Sequence, residues 1–343
     1  MALNRLGTVV KLSTPWKGVG PFIYANHHVD KYPKGNGRMG PDPKLLKGRK
    51  IGQDMSGESG TGWNMYMSTG PIPGFPAHPH RGFETVSLLR SGIVDHADST
   101  GAGARYGAGD VQWVTAGAGV RHSEMLPLIH DDKPNTMELY QLWLNLPKKS
   151  KFAPPQFCML WNENVPIAKR GGASIRVIAG KYEDVTPPNP PRASYASESS
   201  SDLAIWLVEL EAGATVTLPG ANDPKTLRTL YVHGDDAKVT IGGASVESEY
   251  GLEVTKPTDP MEIKADTTSR ILVLQATEIG EPVVIKGPFV MNTEDEIKDA
   301  YRDYKATHFG WEKHWDRQDP VYPKDTPRFA DFGDGNKVYP PTK

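Results

Sequence analysis

The chain of 343 residues has little cysteine, little net charge and no long apolar run. Its one cysteine, Cys158, excludes an intrachain disulfide and fits a reducing compartment. We expect a buried thiol there rather than a nucleophile, because Cys158 stands in the apolar run Phe157–Trp161. The net charge of −2 provides no broad basic field for nucleic acid and no polybasic cluster for a membrane surface. With no transmembrane run or signal-peptide layout, we expect a cytoplasmic protein, or also a nuclear one in a eukaryote.

Glycine and proline, in contrast, are abundant, with 35 and 30 residues. They are scattered between short apolar runs, which is typical of many strands joined by tight turns and predicts an all-β fold. The clearest example is Glu84–Leu89, the turn Ser91–Gly92 and then Ile93–His96, which together predict a strand, a tight turn and a strand.

The second half of the chain repeats this order of strands and turns. From Ala204 onward, short apolar runs alternate with turns, and Gly242–Gly243 predicts a hairpin. The similarity between the halves suggests an internal duplication. His233 is the only histidine between residues 131 and 307, so we expect no comparable metal site in the second half.

One helix is predicted, near the C-terminus. The segment Thr293–Glu296 has the capping-box pattern, and the apolar residues that follow have helical spacing to about Lys305. The tail from Gly310 to Lys343 is aromatic, proline-rich and charged, and we expect it to be extended without regular structure. Lys31 to Gly62 is rich in glycine, lysine and aspartate, which predicts a long loop.

Two pairs of polar residues form the candidate functional site. His78 and His80 are two residues apart, and so are His122 and Glu124. On a strand, side chains at i and i+2 point to the same face, so each pair can face one point. If the two strands are neighbours, three imidazoles and a carboxylate meet, and this ligand set suits a divalent transition metal. Imidazole binds Zn, Cu, Fe and Ni, and the combination of histidine and carboxylate ligands is typical of non-haem Fe(II) enzymes. The alternative is two unrelated clusters of surface histidines.

Residues beside these pairs allow further predictions. Pro79 lacks an N–H, which favours an edge strand or the start of a strand. Arg81 and Arg121 either bind an anionic substrate or partner, or are ordinary arginines of a strand surface. His27 and His28 are adjacent, so on a strand they face opposite ways, and we expect them at the surface or rim.

The motifs around the two pairs resemble a known family. The stretch His78–Glu84 is similar to the first cupin motif, and Gly109–His122 is similar to the second, although Thr115 stands where proline is usual and two extra residues precede the histidine. These departures resemble the pirin family. Further stretches that resemble pirins are Gln141–Pro147, Arg176–Gly180 and Glu281–Asn292, and the resemblance extends from about Phe75 to Trp315.

The resemblance implies two stacked cupin-type β-barrels, a bicupin, with one iron in the first. Residues 1–155 would form an N-terminal arm and the metal-binding domain, residues 156–290 a second cupin domain without metal, and residues 291–343 the helix and tail. The ligands carried over by the resemblance are His78, His80, His122 and Glu124, the four residues that strand spacing also selects. Glu84 takes the position of a metal ligand in many other cupins. Here we expect it to orient a ligand or a bound water, on a strand face shared with His80.

Two kinds of function follow from the resemblance. The first is a quercetin 2,3-dioxygenase, or quercetinase, which opens a flavonol ring with O₂ at iron or another divalent transition metal, with Glu124 as ligand and proton acceptor. The second is a redox-sensing, iron-binding regulator that acts through protein partners, as a transcription cofactor or a regulator of metabolic enzymes. We favour the dioxygenase, and a purely structural metal with a closed shell is a third possibility.

Overall fold

The structure is a computed structural model that describes residues 6–55, 61–107, 109–310 and 318–342. The chain forms two compact units. The first contains Met1–Asn26, Leu142–Pro147 and Glu163–Gly280, and the second contains His27–Gln141, Lys148–Asn162 and Glu281–Lys343. The linear domain boundaries expected after residues 155 and 290 stay a prediction.

Strands dominate the described residues. They are β1 (Gly7–Lys11), β2 (Phe22–Tyr32), β3 (Gly74–His80), β4 (Phe83–Ser91), β5 (Ile93–Asp98), β6 (Gly103–Gly107), β7 (Val111–Thr115), β8 (Val120–Met125), β9 (Asn135–Asn145), β10 (Gln156–Leu160), β11 (Ile167–Arg170), β12 (Ala173–Ala179), β13 (Ala204–Leu210), β14 (Thr215–Leu218), β15 (Leu227–His233), β16 (Lys238–Ile241), β17 (Ala244–Glu247), β18 (Tyr250–Val254), β19 (Met261–Ala265), β20 (Ser269–Ala276), β21 (Val284–Lys286), β22 (Phe289–Met291), β23 (Phe329–Asp331) and β24 (Lys337–Val338). The α-helix α1 spans Glu294–Thr307. Short 3₁₀ helices span Pro43–Leu46, Lys148–Ser150, Tyr195–Ser197, Ser199–Ser201 and His308–Gly310. The all-β prediction is confirmed.

The first unit is built from two antiparallel sheets around an apolar core. A seven-stranded sheet has the order β1-β18-β15-β20-β13-β12-β11, and a four-stranded sheet has the order β14-β19-β16-β17. Trp206 and Val208 of the larger sheet and Val216 and Ile263 of the smaller one belong to the same buried cluster. The hairpin predicted at Gly242–Gly243 joins β16 to β17. Alternate residues of each sheet therefore fill one common interior.

The second unit repeats this arrangement with a five-stranded and a six-stranded sheet. Their orders are β10-β7-β4-β9-β2 and β24-β23-β6-β5-β8-β3. Leu89 and Val114 of the first sheet share a buried cluster with Ala104 and Val120 of the second. Within the described ranges the strands pair in open orders, so each unit is a two-sheet sandwich rather than a single closed ladder of hydrogen bonds.

Two other sequence predictions concern the tail and the loop. The expected absence of regular structure in the tail is wrong, because β23 pairs with β6, and β24 pairs with β23. The buried Arg105 fixes the segment that precedes β23. Its Nη1 donates to the carbonyl oxygens of Pro323 and Thr326 at 2.7 and 3.1 Å. The predicted loop from residue 31 contains the 3₁₀ helix Pro43–Leu46. Residues 56–60 of that loop and 311–317 of the tail lie outside the described part.

Among the described residues, no helix combines the length and apolar character needed to span a bilayer.

The helix α1 begins as the sequence predicts. The Thr293 hydroxyl accepts from the backbone N–H of Glu296 at 3.2 Å, and the Glu296 carboxylate accepts from the N–H of Thr293 at 3.0 Å. Ile297 and Ala300 are buried against Phe289. The predicted capping box and helix are confirmed.

Replacing Thr293 with alanine should lower the free energy of unfolding by about 1 kcal/mol, because an orphan N–H of the first turn loses its acceptor. Chemical denaturation of both proteins measures this difference. Thr293→Ser keeps the hydroxyl and is the control. An unchanged midpoint for Thr293→Ala would show that the cap does not contribute.

Candidate metal centre

The two polar pairs lie on neighbouring strands of the six-stranded sheet. Strands β3 and β8 are antiparallel, and His78 is directly opposite His122. β3 is the edge strand, which suits the missing N–H of Pro79. The register shifts between Phe75 and His78, so β3 has a bulge just before the first histidine. The pairing brings residues that are distant in sequence to the same face of one sheet.

Three imidazoles meet at this point. Each of His78, His80 and His122 offers a ring nitrogen, and these nitrogens all lie within 4.8 Å of one another. This is the one group of three histidine, cysteine or acidic residues with metal-binding spacing in the part of the chain that the structure describes. Glu124 lies beside it, with its Oε2 atom 3.9 Å from Nε2 of His122. The structure thus brings the three predicted histidines together and places Glu124 beside one of them, His122.

The hydrogen bonds of the histidines leave nitrogen lone pairs for a ligand. His78 Nδ1 lies 2.9 Å from the carbonyl oxygen of Pro76 and must donate to it, so Nε2 keeps a lone pair. Neither ring nitrogen of His122 has a hydrogen-bond partner among the described residues, and the side chain is fully buried. Buried polar atoms without partners are costly, and a metal ion would satisfy one of them. The residues present therefore fit a transition metal.

Electrostatics favour the same conclusion. Burial lowers the pKa of His78 to about 4, and burial together with the neighbouring histidines lowers the pKa of His80 and His122 well below the usual value. Neutral imidazole is the form that binds metals. Burial raises the pKa of Glu124, since a desolvated carboxylate is unfavourable without a cation. A divalent cation would remove that penalty.

Ser87 and Gln141 extend the polar site beyond the predicted residues. The Ser87 hydroxyl oxygen lies 3.3 Å from Glu124 Oε1 and 2.8 Å from Gln141 Oε1. Ser87 is buried on β4, at a position where the strand pattern places an inward side chain. Ser87 was missed from the sequence, where a serine within the run Val86–Leu89 was the signal that could have found it.

Glu84 does not occupy the predicted place beside His80. The two residues lie on different strands, because a turn at Gly82, with φ of +83°, separates β3 from β4. Ser87 faces Glu124, so alternation along β4 turns Glu84 to the opposite face. There its Oε1 accepts from the Thr115 hydroxyl at 2.7 Å. The prediction that Glu84 orients a metal ligand is not supported by this placement.

The two arginines have different surroundings. Arg81 is buried, where Nε donates to the Ala118 carbonyl at 2.6 Å and Nη1 donates to Asp303 Oδ2 at 2.9 Å. It is neither an open anion site nor an exposed surface residue, because α1 supplies its counter-charge. Arg121 is partly exposed, and its Nη2 donates to Gln318 at 2.9 Å.

The other histidines and the cysteine lie outside this cluster. His27 bonds to Glu138 at 2.9 Å and His28 to Tyr66 at 3.0 Å, so the two neighbours have different partners. His233, in the first unit, bonds to the Tyr231 carbonyl at 3.0 Å. Cys158 is partly exposed rather than fully buried, and burial of the thiol still raises its pKa. A raised pKa keeps the unreactive thiol form.

His96 and Asp98 were missed from the sequence. They lie on β5, which pairs with β8, so that His96 is opposite Glu124 and Asp98 is opposite His122. Both are buried, and His96 Nε2 lies 2.9 Å from Asp98 Oδ2. Their i, i+2 spacing is the same signal that identified the other two pairs, and it could have found them.

Comparisons with known proteins agree with this picture. The family model Pirin matches residues 54–144, and the model described as Pirin C-terminal cupin domain matches residues 205–310. A pirin-like protein of Caulobacter vibrioides is 33% identical over 239 residues, which are 69% of this chain and 81% of the relative. Pirin-1 of Arabidopsis thaliana is 34% identical over 242 residues, 70% of this chain and 79% of the relative.

Among solved structures, a quercetin 2,3-dioxygenase from Acinetobacter baumannii is similar over 90% of this chain and 99% of its own, with a TM-score of 0.68 and 25% identity. The two cupin-type domains implied by the resemblance are thereby confirmed. With both family models matched and relatives covered over most of their length, this chain belongs to the pirin family.

Proposed function

We propose that the protein is a metal-dependent dioxygenase that opens the ring of a flavonol such as quercetin, with one iron held by His78, His80, His122 and Glu124. The observation that carries the proposal is the cluster of three imidazoles whose ring nitrogens lie within 4.8 Å of one another, with a carboxylate beside His122. Three imidazoles and one carboxylate suit iron, although other divalent transition metals accept the same ligands. When bound, such an ion supplies Lewis acidity, which favours the deprotonated form of a coordinated hydroxyl group.

Glu124 is the residue assigned to proton transfer. Its carboxylate lies beside the three imidazoles, with Oε2 3.9 Å from Nε2 of His122, so a substrate hydroxyl group bound at the same site would lie next to it. The Ser87 hydroxyl, 3.3 Å from Oε1, limits the orientations of the carboxylate. Glu124 would accept the proton of the flavonol hydroxyl, provided that the hydroxyl comes within hydrogen-bond reach.

An aromatic wall beside His78 supports a flat, aromatic substrate. The Phe75 ring centre lies 6.4 Å from that of His78, and Tyr66 lies 4.6 Å from Phe75. The His28 ring lies 5.4 Å from Tyr66 in an edge-on arrangement. Sites for small aromatic ligands are mostly apolar and carry a few placed polar groups, and rings gain from edge-on or offset contacts. We assign the partly exposed Phe75 ring to contact with the substrate rings, and the buried Tyr66 to the support of Phe75.

The experiment is metal analysis of protein purified without added metal, paired with oxygen uptake in the presence of quercetin. We expect one ion per chain, with iron predominating, and uptake that a chelator abolishes and Fe(II) restores. Iron-loaded protein that shows no quercetin-dependent uptake would overturn the dioxygenase proposal. The redox-sensing regulator that acts through protein partners would then take its place.

A further inference from the structure

The pair His96 and Asp98 continues the row of candidate ligands across the sheet. Strand β8 lies between β3 and β5. His122 on β8 is opposite His78 on β3 and Asp98 on β5, and Glu124 is opposite His96 on β5. Directly opposite residues of an antiparallel pair point to the same face. His96 and Asp98 therefore share the inner face of the six-stranded sheet with the proposed ligands.

Asp98 determines which nitrogen of His96 carries the proton. Its Oδ1 accepts from the backbone N–H and the hydroxyl of Thr100, at 2.8 and 2.6 Å. Its Oδ2 lies 2.9 Å from His96 Nε2. A carboxylate with these three contacts acts only as an acceptor, so Nε2 of His96 must be the protonated nitrogen. In the neutral imidazole, Nδ1 of His96 is then the lone-pair acceptor.

His96 and His122 are neighbours, and both have ring nitrogens without a hydrogen-bond partner among the described residues. His96 Nδ1 is buried without a hydrogen-bond partner among the described residues, as are both ring nitrogens of His122. The two ring centres are 5.4 Å apart, with the rings at 69°. Two imidazoles joined by an N–H···N bond have their ring centres about 5 Å apart, so the observed 5.4 Å is close to the separation that such a bond requires.

We propose that His96 and Asp98 are positioning residues for the ligand His122. The inference rests on the proposed function only in taking His122 to be a metal ligand. A ligating histidine uses one nitrogen as the lone pair and carries its proton on the other. In the proposed chain, that N–H of His122 donates to Nδ1 of His96, and Nε2–H of His96 donates to Asp98. Buried partners of this kind fix the orientation and the tautomer of a ligating histidine.

The substitution Asp98→Asn tests the chain with little change of shape. Asparagine keeps an oxygen for the two Thr100 donors but presents an amide NH₂ to His96 Nε2. His96 must then accept at Nε2 and carry its proton on Nδ1. The N–H groups of His96 and His122 then face each other, and no hydrogen bond can form between them. With Zn²⁺ as the probe and chelator competition as the measurement, the dissociation constant should rise about 10- to 100-fold.

Glu138→Gln is the matched control. Glu138 and His27 form another buried carboxylate–histidine pair at 2.9 Å, but on the five-stranded sheet. Met137 and Leu139 belong to the core, so Glu138 faces away from it. Zn²⁺ affinity should be unchanged in Glu138→Gln. If Asp98→Asn and Glu138→Gln both bind Zn²⁺ like the wild type, the positioning role is wrong.

A second measurement covers the case in which Asp98→Asn does not fold. Long-range ¹⁵N NMR of Zn²⁺-loaded wild-type protein with labelled histidine reports the tautomer of each ring. We expect His96 protonated at Nε2, with Nδ1 as acceptor, and a proton at Nδ1 would overturn the proposal. If the wild type binds no Zn²⁺ at all, the proposed metal centre is wrong. If the wild type binds Zn²⁺ and Asp98→Asn binds it equally well, the metal centre stands and only the positioning role is wrong.

Discussion

Replacing His80 and His122 together with alanine should abolish metal binding, from one equivalent per chain to none. These side chains supply two of the three imidazole nitrogens within 4.8 Å of one another. The two remaining donors are His78 on β3 and Glu124 on β8, and His78 is partly exposed, so these two alone would not hold the ion. Metal content after gel filtration measures the loss.

The thermal midpoint provides an independent readout of the same change. A ligand that binds only the folded protein stabilises it, so added metal should raise the midpoint of the wild type and leave that of the double variant unchanged. The matched control is His27→Ala with His130→Ala, which also removes two imidazoles of the second unit but leaves the cluster intact. A full equivalent of metal in the His80/His122 variant would remove the basis of the metal-centre proposal.

The substitution Glu124→Gln should lower quercetin-dependent turnover by about 10²- to 10⁴-fold at equal metal occupancy, which is the usual contribution of a positioned proton acceptor. Glutamine keeps an oxygen that can bind a metal and can accept from Ser87, 3.3 Å away. It loses the negative charge and the basicity. Single-turnover oxygen uptake, normalised to bound iron, separates the chemical step from metal loss.

Glu84→Gln is the control for Glu124→Gln. Glu84 is also a buried glutamate, but it bonds to Thr115 on the opposite face of β4. We expect its iron-normalised turnover to stay near that of the wild type. If Glu124→Gln turns over like the wild type at full occupancy, the dioxygenase can stand, but the proton acceptor must be another group.

The sequence alone determined the parts of the fold that depend on local patterns. The capping box at Thr293 and the glycine turn at Gly242–Gly243 are satisfied within a few residues, so their structure follows from neighbouring side chains and backbone preferences. The same holds for the paired spacing of His78 with His80 and of His122 with Glu124, because the alternation of a strand is a property of the strand itself. Motifs of this length also identified the family.

Only the tertiary structure decided which of these local features meet. The pairing of β3 with β8 places His78 opposite His122, and the pairing of β5 with β8 adds His96 and Asp98. A turn after His80 sends Glu84 to another sheet, and α1 supplies Asp303 to Arg81. Register between strands depends on packing across the whole sandwich, and a shift by one residue would turn every side chain to the other face. Local spacing marks the candidate residues, but long-range packing decides which of these polar groups surround His122.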